Sequence, residues 1–282
     1  MDFREIRRIV ITAVFSDDVL FEKLVLKGGN ALDIVHGLGA RASLDIDLSI
    51  EGDFENVEDA KGRLFRALSD RFGSAGYSVF DPWFEMKPPR PKEGHPEWGG
   101  YIIEFKIIER ARREKLGEDL DSFRRNAALV GPQNKRTFRI EISRNEYCTG
   151  KQEVEVDAYT IYVYSLPMIA IEKLRAICQQ MEEYPLRVNK AARARDFFDI
   201  HLVLSKRKVN LQSPDNVELI ERVFAAKNVP VDLLGKIANY REFHRADWSS
   251  VLNAVSGRLR DFDYYFDYVL RKVKKLESLW VK

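Results

Sequence analysis

Along the first two dozen residues Ile6, Ile9, Val10 and Val14 recur at helical spacing with charged residues between them, which predicts a helix over 4–24. A short apolar run, Leu24-Val25-Leu26, then meets Gly28-Gly29. A helical continuation follows through Asp33-Ile34-Val35-His36 and is expected to stop near Gly37-Leu38-Gly39. Residues 43–50 alternate strictly between polar and apolar, the pattern of a strand with one buried and one accessible face. Residues 58–73 predict an amphipathic helix. The Pro- and Gly-rich stretch 81–100 reads as a loop. Two more strands are predicted over 101–108 and 138–143, with a further short one over 153–156, and the highly charged residues 109–130 read as helical.

After Pro167 the pattern changes. Residues 166–206 and 214–280 carry helical periodicity with few strand signals. The division predicts a mixed α/β domain over 1–163 and a helical domain over 164–282, the second completing a cleft at the first.

Composition narrows the class. Of 282 residues 45% are apolar and 11% aromatic, too many for a disordered chain. Lys and Arg exceed Asp and Glu by only 46 − 44 = 2, so any basic surface is local. Cys148 and Cys178 cannot make a disulfide framework, and no run approaches the ~20 apolar residues of a membrane span. The charged opening, Met1-Asp2-Phe3-Arg4-Glu5, lacks an apolar signal core, so a cytoplasmic protein without a membrane partner is expected.

The chemistry lies in Gly28-Gly29 and Asp45-Ile46-Asp47, separated by the fifteen residues 30–44. Carboxylates two apart on a strand project from one face and repel unless a cation lies between them. Mg²⁺ suits such a site, since it prefers one or two carboxylates plus substrate phosphates. A glycine pair lets backbone N–H groups approach an anion, and a helix start favours negative charge.

At these residues the chain resembles the polymerase beta-like nucleotidyltransferases, and within them the AbiEii/AbiGii-type toxins. The resemblance rests on Gly28-Gly29-Asn30-Ala31-Leu32, on Arg41-Ala42-Ser43-Leu44-Asp45-Ile46-Asp47, on Glu172-Lys173-Leu174-Arg175-Ala176, and on Ala194-Arg195-Asp196-Phe197-Phe198-Asp199. Asn30 stands where that family usually has Thr or Ser, and the fifteen-residue gap is long for the superfamily. The resemblance implies an α/β mixed sheet with helices and a C-terminal helical domain. It further implies two Mg²⁺ ions and transfer of a nucleoside monophosphate from a nucleoside triphosphate to an acceptor hydroxyl. Asp45 and Asp47 would ligate metal, and a third carboxylate would help activate the nucleophile. Glu141 is preferred for that role, with Glu104 as the alternative. Gly28, Gly29 and the N–H of Asn30 would contact the triphosphate, with Arg41 or Ser43 as further contacts. Lys173 would clamp phosphate.

Asp196 and Asp199 share a helix face. They would recognise base or ribose or orient Lys173, unless they merely pair locally with Arg193 and Arg195. Arg187, Lys190, Arg193 and Arg195 form a basic cluster that could grip RNA or be a solvated face. A second basic concentration, Arg110 to Arg113 with Arg124, Arg125, Lys135 and Arg136, has the same two readings. By the resemblance the acceptor is an RNA, namely a tRNA acceptor end, and the donor GTP or a pyrimidine triphosphate. The cognate antitoxin would be a winged-helix repressor encoded nearby, in a toxin–antitoxin or phage-defence pair. Transfer to a protein or small-molecule hydroxyl, or nucleotide binding without turnover, are the alternatives. The aromatic run 261–268 reads as packing, and the scattered histidines lack zinc-site spacing.

Overall fold

The computed structural model describes residues 2–39, 45–90, 92–95, 98–130, 134–255 and 257–281. They fall into two compact units, one from the described residues of 1–35 and 43–163, the other from those of 36–42 and 164–282.

The first unit is built on a seven-stranded mixed sheet. Its strands are β1 (Leu24–Lys27), β2 (Ile46–Ile50), β3 (Tyr77–Lys87), β4 (Gly100–Glu109), β5 (Phe138–Ser143), β6 (Lys151–Val156) and β7 (Tyr159–Tyr164), in the spatial order β3-β4-β5-β2-β1-β7-β6. β2 runs parallel to β5 and antiparallel to β1, while β4 is antiparallel to both β3 and β5. Alternation sends Ile46, Leu48, Ile140, Ile142, Ile103 and Phe105 to one buried face. Helices α1 (Phe3–Val14) and α4 (Val57–Ser74) pack on that face, with Phe3 against Phe138 and Phe72 against Phe105. The opposite face of β2 and β5 carries Asp47, Ser49, Arg139, Glu141 and Ser143.

Several elements differ from the sequence pattern for physical reasons. The helix expected over 4–24 is broken. Phe15 caps α1, and Asp17 accepts from the N–H groups of Val19 and Leu20 to start α2 (Asp18–Lys23). The helix expected after Gly28-Gly29 is only Gly28–Asn30, here α3, followed by wider turns over Ala31–Val35. The stretch read as a loop over 81–100 contains most of β3. Pro82 is tolerated because β3 is an edge strand and a bulge lies between Phe80 and Trp83. Strand β7 was absent from the expected elements although Ile161 and Val163 alternate inward. The charged 109–130 stretch forms two short helices, α5 (Arg110–Leu116) and α6 (Leu120–Asn126). Of these only α6 buries a side chain, Phe123.

The second unit is helical: α7 (Leu166–Cys178), α8 (Ala194–Lys206), α9 (Pro214–Ala225), α10 (Arg241–Arg245), α11 (Trp248–Leu252) and α12 (Phe262–Lys274). Pro at the start of α7 and α9 suits a first helical turn. The core runs along α8 and α12, where Phe197 stacks on Phe266 at 4.8 Å and meets Phe262 edge-on. The aromatic run over 261–268 is therefore packing. Cys178 is fully buried, and burial pushes its thiol pKa up, which removes it from nucleophilic chemistry.

Candidate active site

Position 28 joins the glycine bend to the acidic strand. Gly28 has φ +69°, a conformation that L side chains rarely adopt, and a Cβ there would stand 2.4 Å from Asp47 Oδ2. The Asp47 carboxylate thus lies directly on the bend. Register places Lys27 opposite Asp47 on one side and Glu141 opposite it on the other. Neighbouring strands are about 4.8 Å apart, so Asp47 and Glu141 share a face at a single strand spacing. Glu104 belongs one strand further out, opposite Arg139, while Ile102 is the residue opposite Glu141.

Asp45 immediately precedes β2, and its carbonyl is fixed by a side chain outside the acidic motif. Asn30 Nδ2 donates to Asp45 O at 2.7 Å, and Asn30 Oδ1 accepts from Arg7 Nη1 at 2.8 Å. Arg7 also pairs with Asp33 at 3.0 Å. The side chain of Asn30 is wholly buried in this bridge, so any contact it makes with a phosphate must come from its backbone. Arg7 was not among the sequence candidates. The signal was present, since Arg7 falls on the same helix face as Val10, Ile11 and Val14 and is buried with them.

Asp45 and Glu141 each have a cation beside them. Lys135 Nζ lies 3.2 Å from Asp45 Oδ1, with those two side chains 36% and 39% exposed. Arg139 lies 2.8 Å from Glu141, with Lys87 at 3.8 Å, and Arg139 also reaches Glu104 at 3.7 Å. Among the described residues no three acidic, His or Cys side chains converge closely enough to hold a metal as they stand. The donors are nevertheless hard carboxylate oxygens, the type a divalent cation such as Mg²⁺ takes, two of them on adjacent strands and Asp45 at the start of β2. Lys27, missed by the sequence reading, is 7% exposed; its Nζ donates to Ser143 Oγ at 3.0 Å and lies 3.5 Å from buried Glu146. Arg41 and Ser43 lie outside the described residues.

The sequence candidates of the helical unit form a different assembly. Lys173 Nζ sits 2.9 Å from Asp196 Oδ1 and 2.9 Å from Asp199 Oδ2, with all three side chains no more than 6% exposed. Arg193 also pairs with Asp196. Burial opposes ionisation of Asp196, but Arg193 and Lys173 outweigh it and hold the carboxyl well below its ordinary range. Asp199 thus meets Lys173, while Arg195 turns to Ser250 Oγ at 3.0 Å. Buried His244 accepts from the N–H of Arg193 through Nδ1, and burial lowers its pKa to about 4.

The basic cluster beside these residues is engaged within the unit. Lys190 Nζ donates to the carbonyls of Met181 and Tyr184, and Arg187 Nε to that of Asn189. Arg187, Lys190 and Arg193 hold the connection between α7 and α8, Arg193 through Asp196, while Arg195 ties α8 to α11 through Ser250. This arrangement favours the local reading over an RNA grip.

A mixed sheet with a glycine bend seated on a strand carboxylate, followed in the chain by a helical unit, is a fold that known structures share. A Helicobacter pylori protein assigned as a nucleotidyltransferase superposes with TM-score 0.52 at 17% identity, over 99% of this chain and 97% of its own. JHP933 from Helicobacter pylori superposes with TM-score 0.50 at 15% identity, over 97% of this chain and 90% of its own. The chain belongs to the AbiEii nucleotidyl transferase toxin family of type IV toxin–antitoxin systems, whose sequence profile matches residues 9–272. The family implies a cognate antitoxin. No curated protein matches the sequence. Among the described residues no helix is long and apolar enough to cross a membrane.

Proposed function

We propose that this toxin transfers a nucleoside monophosphate from a nucleoside triphosphate to an RNA hydroxyl, with a tRNA acceptor end as the target and Mg²⁺ as the cofactor. The observation that carries the reading is the contact of Asp47 with the Gly28 bend, together with the pairing of Asp47 and Glu141 in adjacent strands. Asp45, Asp47 and Glu141 would hold the metal. When bound, Mg²⁺ supplies charge neutralisation at the phosphates and lowers the pKa of the attacking hydroxyl.

The chain's own groups do the rest. Backbone N–H groups of the 28–30 bend bind the triphosphate, and the missing Cβ of Gly28 lets the Asp47 carboxylate lie against that bend. The acceptor oxygen bonds to the α-phosphorus as the bond to the bridging oxygen breaks and pyrophosphate departs. Glu141, on the far side of Asp47 from the bend, receives the acceptor's proton. Lys135, exposed beside Asp45, supplies positive charge to the leaving pyrophosphate. Lys173 takes the place of a positioned ionic centre: Asp196 and Asp199 hold it, and the triad orders the junction of α7 and α8 that the family motif occupies. Asp196, Asp199 and Arg195 would contact the base or ribose only from that frame. Arg41 and Ser43 are assigned to the phosphates by the family motif alone. The antitoxin is assigned as a winged-helix repressor on the same basis, and GTP or a pyrimidine triphosphate as donor.

The test uses purified protein, Mg²⁺ and each of the four labelled triphosphates, with total RNA, total protein and a small-molecule extract as parallel acceptors. Label in RNA, lost with EDTA, is the expected result. Label running with protein or staying dialysable would replace RNA by those acceptors. Nucleotide binding without transfer to any of them would favour a binding protein.

A further inference from the structure

On the same sheet face as Asp47 and Glu141, the outer strands carry a large aromatic that the site so far does not use. Trp83 is 45% exposed. In an unbroken strand Phe80 and Trp83, three apart, would point to opposite faces. The bulge at Asp81-Pro82 cancels that alternation. Phe80 aligns with Lys106 and Trp83 with Glu104, two positions of the same parity on β4. Both side chains therefore emerge on the face that carries Glu141, since Glu104 aligns with Arg139 and Ile102 with Glu141.

The bulge is firmly made. Asp81 takes φ +55°, and its carboxylate is bound by Arg124 and Lys106, which hold its pKa well below the usual range. Phe80 is covered by Phe123 of α6, whereas Trp83 is left open. A device that turns one ring under a helix and the next onto the catalytic face is the kind of re-aiming bulges provide.

We infer that Trp83, with Lys87, binds the unpaired end of the acceptor strand, Trp83 by stacking on a nucleobase and Lys87 on its phosphate. This rests on the RNA reading of the site. The direction follows from the chemistry of an in-line displacement, in which attacking and leaving oxygens lie on opposite sides of phosphorus. The triphosphate tail belongs over the Gly28 bend, on the β1 side of Asp47. The acceptor must then approach from the β5 side, across β4 and β3. Trp83 lies two strand spacings, about 10 Å, from the β5 row, within reach of a nucleotide next to the reacting one. Lys87, on the same strand, is 57% exposed and extends back to within 3.8 Å of Glu141. Glu104 on this face is paired with Arg139, and Glu85, which aligns with Ile102 between Trp83 and Lys87, is a negative charge that Lys87 must outweigh. A base has a π-face whatever its identity, so an exposed Trp binds unpaired RNA without reading sequence.

The experiment measures two quantities for the full chain, its Trp83→Ala and Trp83→Phe variants and Lys87→Ala. One is the KM for RNA and for the nucleotide in the transfer assay. The other is the affinity for a fluorescently labelled single-stranded oligoribonucleotide. Trp83→Ala should raise both the acceptor KM and the oligonucleotide Kd roughly tenfold to a hundredfold, leave the nucleotide KM within about twofold, and be largely rescued by Phe. Lys87→Ala should weaken oligonucleotide binding and flatten its salt dependence. Equal oligonucleotide affinity in Trp83→Ala and the parent would overturn the inference, whether or not RNA is the acceptor. A parent protein that binds the oligonucleotide through Trp83 yet never labels RNA would instead sink the acceptor assignment and support the contact. Loss of antitoxin binding in Trp83→Ala with RNA affinity intact would reassign the patch to a protein and likewise overturn it.

Discussion

Two of the carboxylate–cation groups among the described residues, one in each unit, are built in opposite ways. On the sheet, Asp45 and Glu141 are more than a third exposed, and the cations beside them, Lys135, Lys87 and Arg139, reach in on long side chains. In the helical unit Lys173, Asp196 and Asp199 are sealed from water at 2.9 Å. An exposed ion pair contributes little and can be exchanged for another cation at small cost. A buried one is costly to assemble and costlier to break. The open group is thus suited to exchange partners during a reaction cycle, and the closed group to hold one arrangement.

The sharpest way to break this contrast is to remove the acidic pivot. Asp47→Asn should lower nucleotidyl transfer by roughly a thousandfold or more while the urea midpoint barely moves. The same logic reverses in the helical unit. Lys173→Met removes the cation shared by two buried carboxylates, leaves Asp196 only Arg193, and should lower stability by about 3–5 kcal/mol, read from urea unfolding.

His244 sharpens the picture of the closed group through pH. Its pKa is depressed to about 4 by burial, so the folded state prefers the neutral ring and the unfolded state binds the extra proton. Stability from this residue is full above about pH 6.5 and is lost as pH falls toward 4, by at most about 3 kcal/mol. Thermal melts across that window should show the decline, and His244→Phe should flatten it.

Glycines give a smaller and cleaner test on the sheet. Gly28 and Gly52 both have positive φ, but a Cβ at 52 would meet nothing within 4 Å, whereas one at 28 would collide with Asp47. Gly52→Ala should lose about 1–2 kcal/mol and Gly28→Ala at least as much, and only Gly28→Ala should also lose transfer. The smallest effect belongs to the exposed pairs: Lys135→Met should change stability by less than about 1 kcal/mol.

The sequence made the site legible where chemistry and backbone coincide. Gly28-Gly29 and Asp47 announced themselves because a tight bend and a strand carboxylate leave short, regular signatures. Glu141 was preferred over Glu104 from a motif, and register now sets it one strand from Asp47. Arg7 and Lys27 were hidden because a buried cation inside an apolar pattern looks like noise until its partners, Asn30, Ser143 and Glu146, arrive from distant parts of the chain. The bulge at Asp81-Pro82 was masked by proline, which marks a loop as readily as an edge strand. Arg187, Lys190, Arg193 and Arg195 could be read as an RNA grip or as a solvated face because sequence shows charge but not the carbonyls, hydroxyl and carboxylate that these cations meet.

One measurement bears most directly on the central claim, that the acidic strand face at the Gly28 bend transfers nucleotides. Transfer of label from each triphosphate is followed as Mg²⁺ is titrated, for the parent protein and for Asp47→Asn of unchanged unfolding midpoint. Saturable, Mg²⁺-dependent transfer by the parent and its near-complete loss in the variant is the predicted result. Undiminished transfer by the folded variant, or transfer indifferent to Mg²⁺, would contradict it.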